Sequence, residues 1–161
     1  MIKLNLGCGS TIKKGYINID VRKTNPNVVI ANVLNLPYED NSVDEIFAED
    51  IFEHISHIQS RKMIEHWIAK LKVGGTLYIK TTSLCMLAKM ASESVTVEDI
   101  EKCIRRIFGG QNYKENRHMT IGHPTLFIEY LTAAGIDPSN IKIRDDGQFR
   151  NGTNMTIHVV K

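Results

Sequence analysis

The run that opens the chain, Leu4-Asn5-Leu6-Gly7-Cys8-Gly9-Ser10, has the residue types of a ligand-binding turn at the end of a strand. Gly7 and Gly9 allow the backbone to approach a ligand without interference from a Cβ atom. Asp20 ends the next apolar run, Ile17-Asn18-Ile19-Asp20. A carboxylate in that place can accept hydrogen bonds from the two hydroxyls of a ribose. The pattern therefore predicts a nucleoside-type cofactor at the carboxyl ends of parallel strands.

A dinucleotide is the less favoured cofactor. Its fingerprint, G-x-G-x-x-G, requires a third glycine and an acidic residue about 20 positions further on. Here Ser10, Thr11 and Ile12 follow Gly9, and Asp20 lies only 11 residues after that glycine. So short a gap hardly holds a turn, a full helix and a second strand. A pyrophosphate would therefore lack the helix N-terminus that usually binds it.

Five motifs in order over residues 2–82 resemble those of class I S-adenosylmethionine (SAM)-dependent methyltransferases, in their UbiE-like, or methyltransferase type 11, branch. The opening run resembles their first motif, and residues 15–20 resemble the ribose-binding second motif. Three further runs are similar to the remaining motifs: NVLNLPYEDNSVD at 32–44, EDIFEHI at 49–55 and LKVGGTLYI at 71–79. Residues 107–135 have a looser resemblance to small methyltransferases of polysaccharide-synthesis loci.

The resemblance implies an α/β fold with a Rossmann-like, doubly wound sheet. The sheet is expected to be mostly parallel, with strand order 3-2-1-4-5-7-6 and a C-terminal antiparallel hairpin. SAM is the implied cofactor, with S-adenosylhomocysteine (SAH) as its product, at the switch point between strands one and four. The residues implied to bind it are Gly7, Cys8, Gly9, Asp20, Val21, Asn32, Val33, Leu34, Glu49 and Asp50.

The sequence departs from the family pattern at three residues and in one element. Asn5 stands where the first motif usually has an acidic residue, and Val73 replaces the proline before a glycine pair. Asn32 replaces the Asp that accepts from the adenine amino group, and its amide oxygen can still accept without a charge. The short gap before Asp20 also predicts that the first crossover helix is short or missing.

Composition limits the domain organisation and the partners. The 161 residues suffice for one domain with a real core and not for two. A net charge of +2 argues against a dedicated nucleic-acid surface, and no segment approaches the roughly 20 apolar residues of a membrane span. Cys8, Cys85 and Cys103 have no metal-ligand spacing and fit a reducing cytoplasm. No metal is expected, and Cys8 is better explained as a small residue between glycines than as a nucleophile.

Hydrophobic periodicity predicts the strands and the first long helix. The strands are expected near 2–6, 16–21, 28–31, 43–48, 75–82, 140–146 and 153–160. The helix is expected over about 52–71 and should end at the Gly74-Gly75 turn. Two turn signals, Asp146-Gly147 and Asn151-Gly152, predict that the last two strands form a hairpin.

The second half of the chain is expected to supply a cap within one domain that spans residues 1–161. Helices are predicted over 84–91, over 97–108 with Thr96 as N-cap, and from Pro124 to about Ala134. The polar, glycine-containing loop from Gly109 to His123 has the length of a lid or a binding loop. Residues 83–123 are therefore interpreted as a helical cap.

Methyl transfer from a sulfonium requires mainly alignment, and a hydroxyl acceptor also requires a general base. His54, after strand four, and His118, in the cap loop, are the candidate bases. The candidate substrate residues are Gln111, Tyr113, Arg117 and His123. This polar set favours a small polar acceptor, with a sugar or a sugar nucleotide as the leading hypothesis.

A second hypothesis assigns the chain to another class, a non-catalytic SAM- or SAH-binding or regulatory protein on the same fold. Asn5, Asn32 and the missing helix favour it, whereas the intact glycine turn and Asp20 oppose it. Methylation of RNA is disfavoured by the near-neutral charge. The sequence also has Ala48-Glu49-Asp50-Ile51 where an amino-methylating N/D-P-P-Y/F motif would stand.

Overall fold

A computed structural model of the protein describes residues 1–146 and 152–161, and its strands form the predicted sheet. The strands are β1 Lys3–Leu6, β2 Ile17–Asp20, β3 Val28–Ile30, β4 Val43–Glu49, β5 Leu71–Thr82, β6 Ile141–Arg144 and β7 Asn154–Val160. They are arranged in the order β3-β2-β1-β4-β5-β7-β6. The strands β1 to β5 pair in parallel, and β7 pairs antiparallel with β5 and β6. The strand order and the antiparallel C-terminal pair are confirmed, while the predicted hairpin turn involves residues 147–151, outside the described part.

Four α-helices follow β4 within the described residues. They are α1 His57–Lys70, α2 Leu84–Glu93, α3 Val97–Phe108 and α4 Pro124–Ala133, with 3-10 turns at Phe52–His54 and Pro138–Asn140. Thr96 Oγ1 accepts from Asp99 N at 3.2 Å and caps α3 as predicted. The helices α2 and α3, which come after β5 and before α4 in the sequence, pack against each other. Among the described residues, no helix combines the length and apolar character that a membrane span requires.

The helix predicted over 52–71 is divided and shorter. A 3-10 turn, Phe52–His54, comes first, Ile55 is extended, and Ser56 is the N-cap of α1, which begins at His57. Ser56 Oγ accepts from Ile58 N, so this serine starts a new helix within the apolar run. The periodicity alone did not show this break, because the apolar positions continue through it.

The end of α1 was also predicted wrongly. The helix ends at Lys70, and Leu71 is already extended and paired with Val43 of β4. The register then shifts, so that Thr76 is the next paired residue of β5. Gly74, at φ +78°, lies inside this irregularity rather than at the end of the helix.

The hydrophobic core lies on the face of the sheet that α1 and α4 cover, where these two helices contact each other. Alternate strand residues point into the core: Ile46 and Ala48 of β4 are fully buried, whereas Phe47 between them is half-buried. Trp67 of α1 is fully buried in the same cluster, and its Nε1 donates to the backbone oxygen of Val33 at 2.8 Å. The core thus holds a loop that leads from β3 to β4.

The other face of the sheet carries a row of aromatic rings. Phe47 stacks on Tyr78 with ring centroids 4.8 Å apart, and Tyr16 and His158 pack edge-on at 6.2 Å from Phe47 and 4.7 Å from Tyr78. Lys13 Nζ lies 3.8 Å from the centroid of Phe47. Residues 7–16, which include Lys13 and connect β1 to β2, form turns and no helix. The predicted loss of the first crossover helix is confirmed.

Because the core lies on one side of α1, two isoleucines of this helix should contribute very differently to the free energy of unfolding. Ile64 is fully buried, whereas Ile58 is 75% exposed. Ile64→Ala leaves a cavity and should lower the free energy of unfolding by about 2–5 kcal/mol. Ile58→Ala, the matched control, should change it by less than about 0.5 kcal/mol. Chemical denaturation measures both values, and equal values would contradict this description of the core.

Candidate active site

A cavity of about 580 Å³ opens at the carboxyl ends of β1, β2 and β4. One part of its wall comes from the turns after these strands, and the other part comes from the loop that follows α3. The strand-end residues that line it are Gly7, Gly9, Asp20, Val21, Arg22, Asn32, Val33, Asp50, Ile51, His54 and Ile55. The residues of the loop after α3 that line it are Tyr113, Lys114, Glu115, Arg117, His118 and Met119. The volume falls in the usual range for small-molecule sites, roughly 300–1,000 Å³.

Asp20 is bound to the glycine turn through its carboxylate. Its Oδ2 accepts from Gly9 N at 2.8 Å, and its Oδ1 accepts from Arg22 N at 2.9 Å. A Cβ atom at Gly9, where φ is +52°, would meet no atom within 4 Å, so the turn presents open backbone. A carboxylate offers about four acceptor sites. Acceptor capacity therefore remains for ribose hydroxyls.

Asn32 adopts a local turn beside this carboxylate. Its Oδ1 accepts from Leu34 N at 2.9 Å, and its backbone oxygen accepts from Asn35 N at 2.9 Å. This Oδ1 atom is the predicted acceptor for the adenine amino group, and a second lone pair remains on it. The next residue, Val33, is fixed by a hydrogen bond that Trp67 Nε1 donates to its backbone oxygen.

The segment after β4 forms a third part of the wall. Asp50 is left-handed at φ 51°, its Oδ1 accepts from Asn154 Nδ2 at 3.3 Å, and its Oδ2 lies 3.3 Å from Lys80 Nζ. Ile51 packs so closely on Gly7 that a Cβ atom there would lie 2.6 Å from its side chain. Gly7, at φ +63°, is thus required both by its conformation and by this contact.

Arg22 and Tyr113 connect the strand-end wall of the cavity to the loop after α3. The guanidinium of Arg22 lies 4.1 Å from the centroid of the Tyr113 ring, and Arg22 Nε lies 3.7 Å from Asp20 Oδ1. Arg22 was not among the predicted site residues. Its position directly after the Asp20-Val21 pair was the signal that could have found it.

His54 and His118 lie side by side, with ring centroids 4.8 Å apart and planes at 87°. Nδ1 of His54 lies 3.1 Å from the backbone oxygen of Arg117, and Nδ1 of His118 lies 2.7 Å from that of Arg106. A carbonyl oxygen can only accept, so each Nδ1 carries the proton that it donates. In the neutral rings Nε2 is then the basic nitrogen. Burial lowers the pKa of His118, which favours its neutral form.

Glu53, the residue before His54, has a buried carboxyl group and is not among the predicted site residues. The residue is 2% exposed, and its carboxyl oxygens accept from Thr81 Oγ1 at 2.8 Å and from Thr82 Oγ1 at 3.4 Å. Burial, with a smaller effect from Asp50, raises its pKa to about 7. A charged residue inside the apolar run Ile51-Phe52-Glu53-His54-Ile55 was the available signal.

Five predicted residues lie outside the cavity lining. Cys8 is buried, and burial together with Asp20 raises the pKa of its thiol, which agrees with a packing role. Leu34 donates its backbone N–H to Asn32. Glu49 follows core-facing Ala48 in β4 and therefore points to the other face of the sheet, where it lies 3.4 Å from Lys80 Nζ.

The other two are residues of the cap loop. Gln111 Nε2 donates to the backbone oxygen of Phe108 at 3.4 Å. His123 accepts from Thr125 N at 3.2 Å through Nδ1 and so caps α4. Lining residues that were not predicted are Arg22, Ile51, Ile55, Lys114, Glu115 and Met119. Across residues 1–146 and 152–161, no group of three or more His, Cys, Asp or Glu side chains could hold a metal ion.

Comparison with known proteins agrees with this geometry. Residues 8–79 match a family described as a methyltransferase domain. A SAM-dependent methyltransferase from Archaeoglobus fulgidus matches 99% of this chain over 85% of its own, with a TM-score of 0.66 and 14% identity. One from Methanosarcina mazei matches 98% over 89%, with a TM-score of 0.63 and 17% identity. Phosphoethanolamine N-methyltransferase 2 from Haemonchus contortus, in complex with SAM, matches 100% over 48%, with a TM-score of 0.66 and 12% identity.

These similarities establish the class of the fold. The structural matches show that the chain has the fold of SAM-dependent methyltransferases. Together with the family match over residues 8–79, they confirm the resemblance to class I SAM-dependent methyltransferases. A search of curated protein sequences finds no significant match.

Proposed function

We propose that the chain transfers a methyl group from SAM to a small polar acceptor, with a sugar or a sugar nucleotide as the leading class. The observation that carries the proposal is that one cavity is lined both by the Asp20 turn and by the His54–His118 pair. The first suits the nucleoside of a cofactor, and the second suits removal of a proton from an acceptor.

The strand-end residues fit SAM in chemical type. Asp20 retains acceptor capacity for ribose hydroxyls, and Val21, Val33 and Ile51 provide apolar surface for a purine. Asp50 is the candidate for the amino group at the methionine end, since a carboxylate accepts from an ammonium group. When bound, SAM supplies a methyl group already activated on a sulfonium. The remaining tasks of the chain are alignment of the acceptor and removal of its proton.

The cap residues support a polar acceptor. Lys114 and Arg117 line the cavity, and neither forms an ion pair with another described residue. Two cations in such positions suit phosphate or hydroxyl groups. Tyr113 has Arg22 against one face of its ring, so its other face is the one available for stacking on a sugar or a base.

The histidine pair supplies the base. Because Nδ1 of each ring is committed to a backbone oxygen, Nε2 of His118 or His54 receives the proton of an acceptor hydroxyl. The low pKa of His118 keeps this nitrogen unprotonated at neutral pH. His118 is therefore the leading candidate for the base, and His54 is the second.

The cap is also proposed to act as a lid over the acceptor. Its loop runs along the cavity from Tyr113 to Met119, and Tyr113 contacts Arg22 on the strand-end wall. Closure over bound ligands would exclude water and align the reactants.

The free cysteines, the near-neutral charge and the small cavity further support a cytoplasmic protein that acts on a small molecule.

A non-catalytic SAM- or SAH-binding protein is the alternative. The observation that favours it is the side-chain oxygen of Asn32, which is already engaged by Leu34 N. Binding of SAH without transfer to any acceptor would support this alternative. Binding with transfer would support the enzyme.

The first prediction concerns the cofactor. Asp20→Ala removes the proposed ribose acceptor and should weaken SAH binding by about 1.5–3 kcal/mol, the scale of a hydrogen bond to a charged group. Isothermal titration calorimetry measures the change. Asp40→Ala is the control, because Asp40 is an exposed carboxylate paired with Lys70 outside the cavity. Unchanged affinity in Asp20→Ala would show that the assignment is wrong.

The second prediction concerns the lid. Trypsin should cleave after Lys114 and Arg117 in the free protein and several-fold more slowly when SAH and an acceptor are both bound, because a closed loop is less accessible to the protease. SAH alone serves as the intermediate control. Equal cleavage rates in all three conditions would argue against closure.

The third prediction concerns the acceptor and the base. Labelled SAM should methylate a member of a panel of sugars and sugar nucleotides, and not fatty acids, small amines or RNA. Because burial lowers the pKa of His118 below the ordinary histidine value of about 6.5, turnover should persist at pH 6.5 and fall only in more acidic solution, where protonation of His118 removes the base. His118→Ala should lower turnover by about 10²–10⁴-fold. Methylation of RNA or a fatty acid instead, with no loss in His118→Ala, would overturn the acceptor and base assignments.

A further inference from the structure

Glu53 lies at the point where the segment after β4, the end of β5 and the return of the cap meet. Its side chain and its backbone make different contacts, and each leads to a different element. The site described above uses its neighbour His54 as a candidate base but gives Glu53 no role. The residue is almost completely buried, so these contacts are internal to the protein.

The carboxyl group holds the 3-10 turn against the end of β5. It accepts from Thr81 Oγ1 at 2.8 Å and from Thr82 Oγ1 at 3.4 Å, and both threonines are fully buried. Ser83, the next residue, caps α2 with a bond from Met86 N to its Oγ. The carboxyl group is therefore attached to the residues from which the cap departs.

The backbone oxygen of Glu53 holds the segment by which the proposed cap returns to the sheet; this segment and the start of the cap after Thr82 are called the two roots of the cap. It accepts from Met119 N at 2.7 Å and from Thr120 N at 3.2 Å. A third bond joins the same segments, between His54 Nδ1 and the backbone oxygen of Arg117. His118 stands between these bonded residues, so its position relative to His54 is set by the connection at Glu53.

The charge of Glu53 has no direct counter-ion. No described residue forms an ion pair with it, and the charged group nearest along its own loop, Asp50, opposes its ionisation. Lys80 of β5 pairs with Asp50 and Glu49 instead. An unpaired buried carboxyl is costly. Such a group requires an explanation beyond packing, and an apolar residue of similar size would fill the same space.

We propose that Glu53 is a positioning residue that holds both roots of the cap on the turn after β4 and thereby fixes the imidazoles of His54 and His118 beside each other. This role rests on the proposed function in one respect, namely that His54 and His118 are the candidate bases of the proposed methyl transfer. The geometric part, that Glu53 fixes their arrangement, concerns the folded protein and can be measured without an acceptor.

The test compares Glu53→Ala with Glu53→Gln by amide hydrogen exchange and by NMR of labelled histidines, with and without SAH. In Glu53→Ala, exchange at Met119 and Thr120 should rise about tenfold or more, because the turn loses its attachment to β5. The NMR-derived pKa of His118 should rise toward about 6.5 as its burial is lost. Glu53→Gln keeps the shape and one of the two acceptor oxygens, so exchange at these amides should rise far less than in Glu53→Ala, by no more than roughly threefold.

Amides of α1, such as those of Ile64 and Trp67, report on global stability. Their exchange rates should not rise together with the exchange rates of Met119 and Thr120. A folded Glu53→Ala protein with wild-type exchange at Met119 and Thr120 would overturn the proposal. Equal increases in α1 and in the cap would also overturn it, since they would indicate a merely global effect.

Thr81→Val provides a second route if Glu53→Ala does not fold. It removes the 2.8 Å donor to the carboxyl group and should produce the same local increase in exchange on a smaller scale, roughly threefold. An unchanged cap in Thr81→Val would count against the proposal. Failure of the proposed function gives a different result: absence of methyl transfer in the wild type, with local exchange and the His118 signal still responding to Glu53→Ala.

Discussion

The parallel pairing of β1 with a strand on each side is the constraint on which the site depends. β2 lies on one side of β1 and β4 lies on the other, so the connections that leave these strands diverge at their carboxyl ends. A crevice opens at such a switch point because no connection covers it. Asp20 at the end of β2 and Ile51 after β4 reach the same crevice for this reason, although they are far apart in sequence.

The core supports the crevice from one face of the sheet. Trp67 fills that core and donates to the backbone oxygen of Val33, which stabilises one wall of the cavity. Phe52 packs on Phe127 of α4 with ring centroids 4.6 Å apart, and this contact anchors the 3-10 turn that carries His54. Buried side chains of the core therefore support the strand-end wall of the cavity. The cap wall is instead held by hydrogen bonds at its roots, which suits a segment proposed to move.

The sequence predicted the features that depend on local pattern and missed those that depend on distant contacts. The Thr96 cap followed from the spacing to Asp99, whereas the strand order was implied by the family resemblance and not by local pattern. The break before α1 was missed because Ser56 interrupts an apolar run whose period continues. Arg22 and Glu53 were missed because their partners, Tyr113 and Thr81, come from remote parts of the chain.

The missing crossover helix accounts for the unusual residue at the start of the first motif. A connection without helical bonds leaves backbone groups that need other partners. Asn5 Nδ2 donates to Asn18 Oδ1 at 2.8 Å and to the backbone oxygen of Thr11 at 3.3 Å, while Asn18 accepts from Lys13 N and donates to the backbone oxygens of Lys13 and Tyr16. An ionised acidic residue at position 5 has no donor for these acceptors. The departure from the family pattern thus serves the shortened connection, because the amide of Asn5 can donate where an ionised carboxylate cannot.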